Sequence, residues 1–301
     1  MKVRSMFEEK RRNIIVSMII MTLFFVLIGG LGAAIGLIYQ NAWMGAIMAG
    51  VVFFIYFLII QGIGENAILK MGGAKPADPN KHQELINVVE ELSLAAGFKK
   101  PPKVYVIQQE GLNAFATGKK PESSAVAITE GLLKKLNRTE LEGVIAHELS
   151  HIKNRDSMIM LYAIMLSGVI VILSRILLRS FLWGGRRRSS NNRNSGGLIL
   201  IMIGIALAIL APLFAVLIRM AISRHREYVA DANGAILTRY PDGLADALEK
   251  ISKQEHSIKK IEPAVAPLFI ENPLGSKKQF LSNMFSTHPP IEERIKRLRE
   301  M

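Results

Sequence analysis

The chain has 301 residues, half of them hydrophobic, yet it carries a formal charge of +13. That pairing is foreign to an ordinary soluble domain, and the absence of cysteine excludes disulfides and thiolate metal ligands. A basic excess of this size suits nucleic acid or an anionic membrane, and the apolar runs described next decide for the membrane.

Met1 to Asn13 is a basic leader containing Lys2, Arg4, Lys10, Arg11 and Arg12. From Ile14 to about Tyr39 the chain is apolar and uncharged, long enough for one membrane crossing. A second uncharged run, Ala42 to about Ile63, follows after a few residues. A cleaved signal peptide has a shorter apolar core and does not normally meet a second span at once, so the pair reads as a transmembrane hairpin. The cations of the leader place the amino terminus in the cytoplasm, and two crossings return the chain there.

Residues 64–156 then read as a water-exposed α+β domain. Asn80 to Gly97 has the pattern of an amphipathic helix, with Leu85, Ile86, Val89, Leu92 and Leu94 among charged residues. Val104–Ile107, Asn113–Gly118 and Ala125–Ile128 read as short strands, and Gly131–Leu136 as a short helical piece. Asn113 and Ala114 fall where an edge strand can align an extended substrate. Thr139 and Glu142 have the spacing of a capping box, and Leu141, Val144, Ile145, Leu149 and Ile152 continue at helical spacing. Within that helix lies His147-Glu148-Leu149-Ser150-His151. One helical turn separates the two histidines, so their imidazoles can converge on one metal ion, while Glu148 is placed to act as a base on water. A zinc ion brings water's pKa to near neutrality, which is what such a base requires.

Two more apolar runs follow, Ser157 to about Trp183 and Leu198 to Ile222, joined by a Gly-, Ser-, Asn- and Arg-rich loop over 184–197. Full crossing by both puts Arg186, Arg187, Arg188 and Arg193 outside, against the positive-inside tendency. Either both segments cross or the hairpin stops short; crossing is the reading carried forward. Glu227 and Asp231 then stand one turn apart in residues 223–232. Charged residues on a helix are most often surface. Here, however, a membrane hairpin separates His151 from Glu227, which brings the two segments to the same side. Glu227 is therefore the expected third ligand of a His2Glu site, and Asp231 the expected acceptor for a ligating imidazole. Near the end, His288 precedes two prolines in an extended segment and is a candidate donor to an oxyanion. A basic amphipathic helix with Ile291, Ile295 and Leu298 closes the chain.

The segments His147 to His151, Ser223 to Asp231 and Thr287-His288-Pro289-Pro290, with four apolar runs around them, resemble the HtpX family of membrane zinc metalloproteases. That family is related to the CAAX prenyl endopeptidases. The resemblance implies four transmembrane helices and a cytoplasmic, mainly helical zincin domain of the gluzincin type with a small β-sheet. It implies one Zn2+ per chain held by His147, His151 and Glu227, with Glu148 as general base. It further implies a multi-pass protein of the cell inner membrane, acting on misfolded membrane proteins alongside an ATP-dependent membrane protease, and no nucleic-acid partner. The organisation expected is a leader (1–13), hairpins at 14–63 and 157–222, and protease segments at 64–156 and 223–301. Two other classes stay open at this point. One is a catalytically silent zinc-binding scaffold, which would want a fourth protein ligand; the other is a basic lipid- or nucleic-acid-binding membrane protein.

Overall fold

A computed structural model describes residues 6–38, 41–118, 121–156, 168–179, 205–206, 208–211, 226–254, 268–270 and 289–301. The chain divides into two compact units, one of residues 1–13, 64–161 and 220–301, the other of residues 14–63 and 162–219.

Helices α1 (Met6–Ile38) and α2 (Ala42–Met71) run through the first two apolar stretches. Within the second unit they approach backbone to backbone, because glycines face each other at the crossing. A Cβ added to Gly45 would lie 2.6 Å from the Gly36 Cα and 2.2 Å from the Gly32 carbonyl oxygen. Such small-residue contacts are what let helices pack where no water is available to drive association. Counted over the residues described to the side chain, no helix is long and apolar enough to cross a membrane. The runs so described in α1 and α2 each fall short of a crossing, and most of the third and fourth apolar stretches lies outside the described residues.

The first unit is built on a four-stranded mixed sheet ordered β1-β2-β4-β3: β1 (Ala74–Pro76), β2 (Lys103–Ile107), β3 (Ala114–Thr117) and β4 (Ala125–Thr129). Three of these strands coincide with the short apolar runs read as strands in the sequence; β1, at three residues and ending in proline, is too short to give such a run. β4 is buried along its whole length and sits between β2, to which it is parallel, and β3, to which it is antiparallel. Its uninterrupted apolar run is the mark of a strand covered on both faces.

Helix α3 (Gln83–Ala95) and the short α4 (Glu130–Lys135) lead to α5 (Arg138–Lys153), the helix that carries His147 and His151. Its amino terminus corrects the expected capping box. Asn137 is the cap: its side chain accepts from the Glu140 N–H, and Glu140 Oε2 in turn accepts from the Asn137 N–H at 2.9 Å. Thr139 already lies in the first turn, with its hydroxyl on Asn137 Oδ1. Asparagine caps as well as threonine does, and the helix begins where the first available cap allows. Leu141, Val144, Ile145 and Leu149 of α5 join Val126 and Ile128 of β4, Leu85 and Val89 of α3, and Leu244 and Leu248 in one core.

After a helical stretch at 168–179 (α6), residues 226–238 form α7, followed by α8 (Pro241–Ser252) and α9 (Ile291–Arg299). α5 and α8 cross at paired glycines: a Cβ on Gly143 would meet the Leu244 nitrogen at 2.6 Å, and one on Gly243 the Thr139 carbonyl at 2.6 Å. α7 comes nearly as close, since a Cβ on Gly234 would stand 3.1 Å from the His147 nitrogen. Gly234 follows Asp231 by three residues and Glu227 by seven, so all three share the helix face laid on α5.

Candidate metal centre

That packing brings the predicted ligands together although Glu227 lies 76 positions beyond His151 in the sequence (227 minus 151). His147 Nε2 and His151 Nε2 are 3.1 Å apart; His151 Nε2 is 3.4 Å from Glu227 Oε1, and His147 Nε2 is 3.7 Å from Glu227 Oε2. One ligand atom from each of the three residues lies within 4.8 Å of the others, close enough for them to converge on a single small ion such as zinc. The donor chemistry fits as well, two imidazoles and a carboxylate being a known zinc hydrolase set. Among the described residues this is the group of His and acidic side chains that converges in this way.

Each histidine is held from behind by a carboxylate. Asp231 Oδ1 lies 2.9 Å from His147 Nδ1, and Asp156 Oδ2 lies 3.2 Å from His151 Nδ1. Both contacts occupy the ring nitrogen that faces away from the triangle and so leave Nε2 for the metal. Both acids are themselves paired with arginine. Arg294 of α9 grips Asp231 with two bonds, Nε to Oδ2 at 2.9 Å and Nη2 to Oδ1 at 2.7 Å, and Arg226 Nη1 lies 3.4 Å from Asp156 Oδ1.

Glu148 is different. It is 1 % exposed, and among the described residues neither carboxylate oxygen has a well-formed hydrogen bond, the Ala116 backbone N–H acting on it only weakly. Burial pushes its carboxyl up to about 7, and Glu227 adds to the shift; His151, Arg294 and the Ala116 backbone amide oppose it without prevailing. Burial also drives His147 below the ordinary histidine value, helped by His151 and Arg294 and resisted by Asp231, which favours the neutral ring a metal requires. For His151, burial again works against the charge, but Asp156 and Glu227 together outweigh it and raise the ring well above its usual value. Asp231 pays for burial too, yet Arg294 and His147 hold it below the ordinary carboxylate range.

The remaining predicted residues fall as follows. Asn113 is fully buried, and both its N–H and its carbonyl bond to Thr129. The Ala114 carbonyl, on the outer edge of β3, accepts the Ile270 N–H at 2.9 Å, and Phe269 pairs with Phe115, their rings 4.8 Å apart. This chain's own residues 268–270 thus lie along the edge expected to align substrate. His288 lies outside the described residues. His82, which has no partner at a telling spacing, accepts the Asp78 N–H on Nδ1 and so presents Nε2–H to Glu130 at 3.1 Å, an arrangement that steadies the turn before α3.

Sequence reasoning missed Asp156, Gly234 and Arg294. A signal existed for the last: Ile291, Ile295 and Leu298 form an apolar stripe in which Arg294 occupies an inward position. A cation in such a stripe must have a buried counter-charge.

The chain matches the model of "Peptidase family M48" over residues 79–301. It is 48 % identical to a "Protease HtpX homolog" of Dictyoglomus turgidum, covering 98 % of this chain and 93 % of that one. Relatives of the same name in Caldanaerobacter subterraneus subsp. tengcongensis and Listeria monocytogenes are 43 % and 42 % identical, covering 99 % and 98 % of this chain and 98 % and 100 % of theirs. Among solved structures, S. mikatae Ste24p superposes with a TM-score of 0.53 at 19 % identity, covering 97 % of this chain and 67 % of that one, a likeness of fold.

Proposed function

This chain belongs to peptidase family M48 and is a metalloprotease, and from that premise we propose a zinc endopeptidase of the cell membrane that cuts misfolded or damaged membrane proteins. His147, His151 and Glu227 hold one zinc per chain in this reading, and Asp231 orients His147. When bound, zinc polarises a peptide carbonyl and makes water acidic near neutrality. Glu148 takes a proton from the attacking water as its oxygen bonds to the carbonyl carbon. As the C–N bond breaks, the same carboxyl passes that proton to the leaving amine. In the metal-free protein burial raises this carboxyl, the direction needed by a base that must later give its proton back. His288 is proposed to donate to the oxyanion, a role to be abandoned if His288→Ala leaves kcat unchanged. Asn113 and Ala114 are proposed to align substrate along β3 in competition with Phe269 and Ile270. Ile270→Pro, which deletes the N–H on Ala114, should then lower KM for an unfolded substrate; an unchanged KM argues against the alignment.

The observation that carries the reading is three converging donor atoms beside a buried carboxylate that has no well-formed hydrogen bond among the described residues. The test is cleavage of unfolded casein by detergent-purified protein, wild type against Glu148→Ala, each chelated and then resupplied with zinc. Zinc-restored cleavage by the wild type alone is expected. Equal cleavage by both would mean a contaminating protease. Stoichiometric zinc with no cleavage would favour a scaffold.

For the membrane, the proposed arrangement is four crossings, at 14–63 and 157–222, with the leader (1–13) and both protease segments (64–156 and 223–301) in the cytoplasm. Supporting it, α1 and α2 present large apolar side chains outward, among them Val26, Trp43, Ile47 and Met48, each more than half exposed. Water would penalise such a surface by about 25 cal/mol per Å2, whereas lipid would not. Because the chain contains no cysteine, single cysteines at 8, 40, 190 and 253 can be tested with an impermeant maleimide in intact cells. Labelling at 40 and 190 alone is expected; labelling at 253 would reverse the orientation. Action alongside an ATP-dependent membrane protease is likewise proposed, and co-purification of the two tests it.

A further inference from the structure

Arg294 is 1 % exposed and the largest fully buried side chain among the described residues. It reaches the metal centre from α9, 63 residues beyond Asp231. Its donors are fully committed: Nε and Nη2 grip the two oxygens of Asp231, and Nη1 lies 3.2 Å from the Ile270 carbonyl and 3.1 Å from Glu227 Oε2. Nη2 also comes within 3.5 Å of both ring nitrogens of His147.

By charge alone this is the wrong residue for the place, since a buried cation beside an imidazole ligand repels the metal that the imidazole is to bind. What a guanidinium contributes is a rigid planar fork. Its bidentate grip turns Asp231 so that Oδ1 meets His147 Nδ1 at 2.9 Å, which leaves Nε2 facing the metal triangle. Its contact with Glu227 Oε2 leaves Oε1 on the side of His151 Nε2, at 3.4 Å. One side chain thereby sets the orientation of two of the three ligands. Its own helix is fastened to the same segment: Arg297 stacks 3.9 Å over the Tyr228 ring, Leu298 is buried in the core, and Arg299 pairs with Asp242 and Asp246 of α8.

We propose that Arg294 is a positioning residue of the metal centre, so that docking of α9 sets zinc affinity through a group that binds no zinc. The inference rests on the proposed His147–His151–Glu227 ligand set. The test uses the full chain in detergent as wild type, Arg294→Lys and Arg294→Met. Zinc affinity is measured by competition with a chromophoric chelator, the visible spectrum is recorded with cobalt(II) in place of zinc, and melting is followed with and without chelator.

Positioning predicts that affinity falls by roughly 10–100-fold in Arg294→Met, as for other supports of metal ligands. It predicts at least a tenfold fall in Arg294→Lys, which keeps the charge and loses the fork, together with a weakened tetrahedral cobalt spectrum in both. Unchanged affinity with a lower metal-free melting temperature would reduce Arg294 to a structural role. Raised affinity would mean that charge repulsion is its main effect, and full rescue by lysine would mean charge balance only; each overturns the proposal. If Arg294→Met does not fold, the lysine variant decides alone. A wild type that binds neither zinc nor cobalt would instead sink the ligand set itself.

Discussion

Removing the charge of Glu148 should make the metal-free protein more stable while abolishing its activity. The carboxyl is buried with no well-formed hydrogen bond among the described residues and titrates at about 7 in the fold, against an ordinary 4.5. At 1.36 kcal/mol per pH unit, that difference amounts to about 3 kcal/mol of lost stability once the group is ionised in both states. Below the ordinary value the acid is neutral whether folded or not, and Glu148→Gln, a near isostere, should match the wild type. Between the two values the folded form binds more proton than the unfolded, so wild-type stability declines as pH rises, and above about 7 the decline is complete. Thermal melts in chelator at about pH 8 should therefore show the Gln variant higher by roughly 6–12 °C, with the gap closing toward pH 5. A gap of the same size at both pH values would mean that packing, not charge, separates the two proteins. No gap at pH 8 would mean that the carboxylate is solvated or paired after all, and the argument for a poised base would go with it.

Gly234→Val should cost about 1–3 kcal/mol and weaken zinc binding, because its Cβ would already stand 3.1 Å from the His147 nitrogen. A melt and a zinc titration that both match the wild type would refute the close approach of α7 to α5. Asp156→Ala should lower zinc affinity roughly 10–100-fold by freeing His151 Nδ1, read by chelator competition; an unaltered affinity would show that the 3.2 Å contact is incidental. Since His151 holds its proton well above the ordinary histidine pKa without metal, zinc must displace that proton and affinity should fall with acid. Calorimetry in two buffers of different ionisation heat checks this, and equal heats would count against it. Asn137→Ala removes the cap of α5 and should lower stability by about 1 kcal/mol, visible as an earlier melt.

Much of the protease unit was legible beforehand. The strands around Val104, Phe115 and Val126 announce themselves as short apolar runs, and the amphipathic α3 and the helix bearing His147 and His151 by helical periodicity. β1 does not, because three residues carry no period, and the cap of α5 was placed two residues late because Asn137 and Thr139 offer competing signals of equal quality. The first two apolar runs lie within α1 and α2, although α1 begins at Met6 in the expected leader and α2 continues past Ile63 to Met71, while the third and fourth lie mostly outside the described residues.

By itself the sequence picked out the side chains proposed to carry the chemistry. His147, Glu148 and His151 are bound by helical spacing, and Glu227 and Asp231 by a one-turn step on a second helix. Only the tertiary structure decided how these groups are supported. Gly234 matters because two helix backbones meet there, Asp156 because the chain turns back on His151 after α5 ends, and Arg294 because α9 docks on α7. The physical reason is range: periodicity encodes contacts within a few residues, whereas a buried ion pair spanning 63 residues exists only once the core has closed around it.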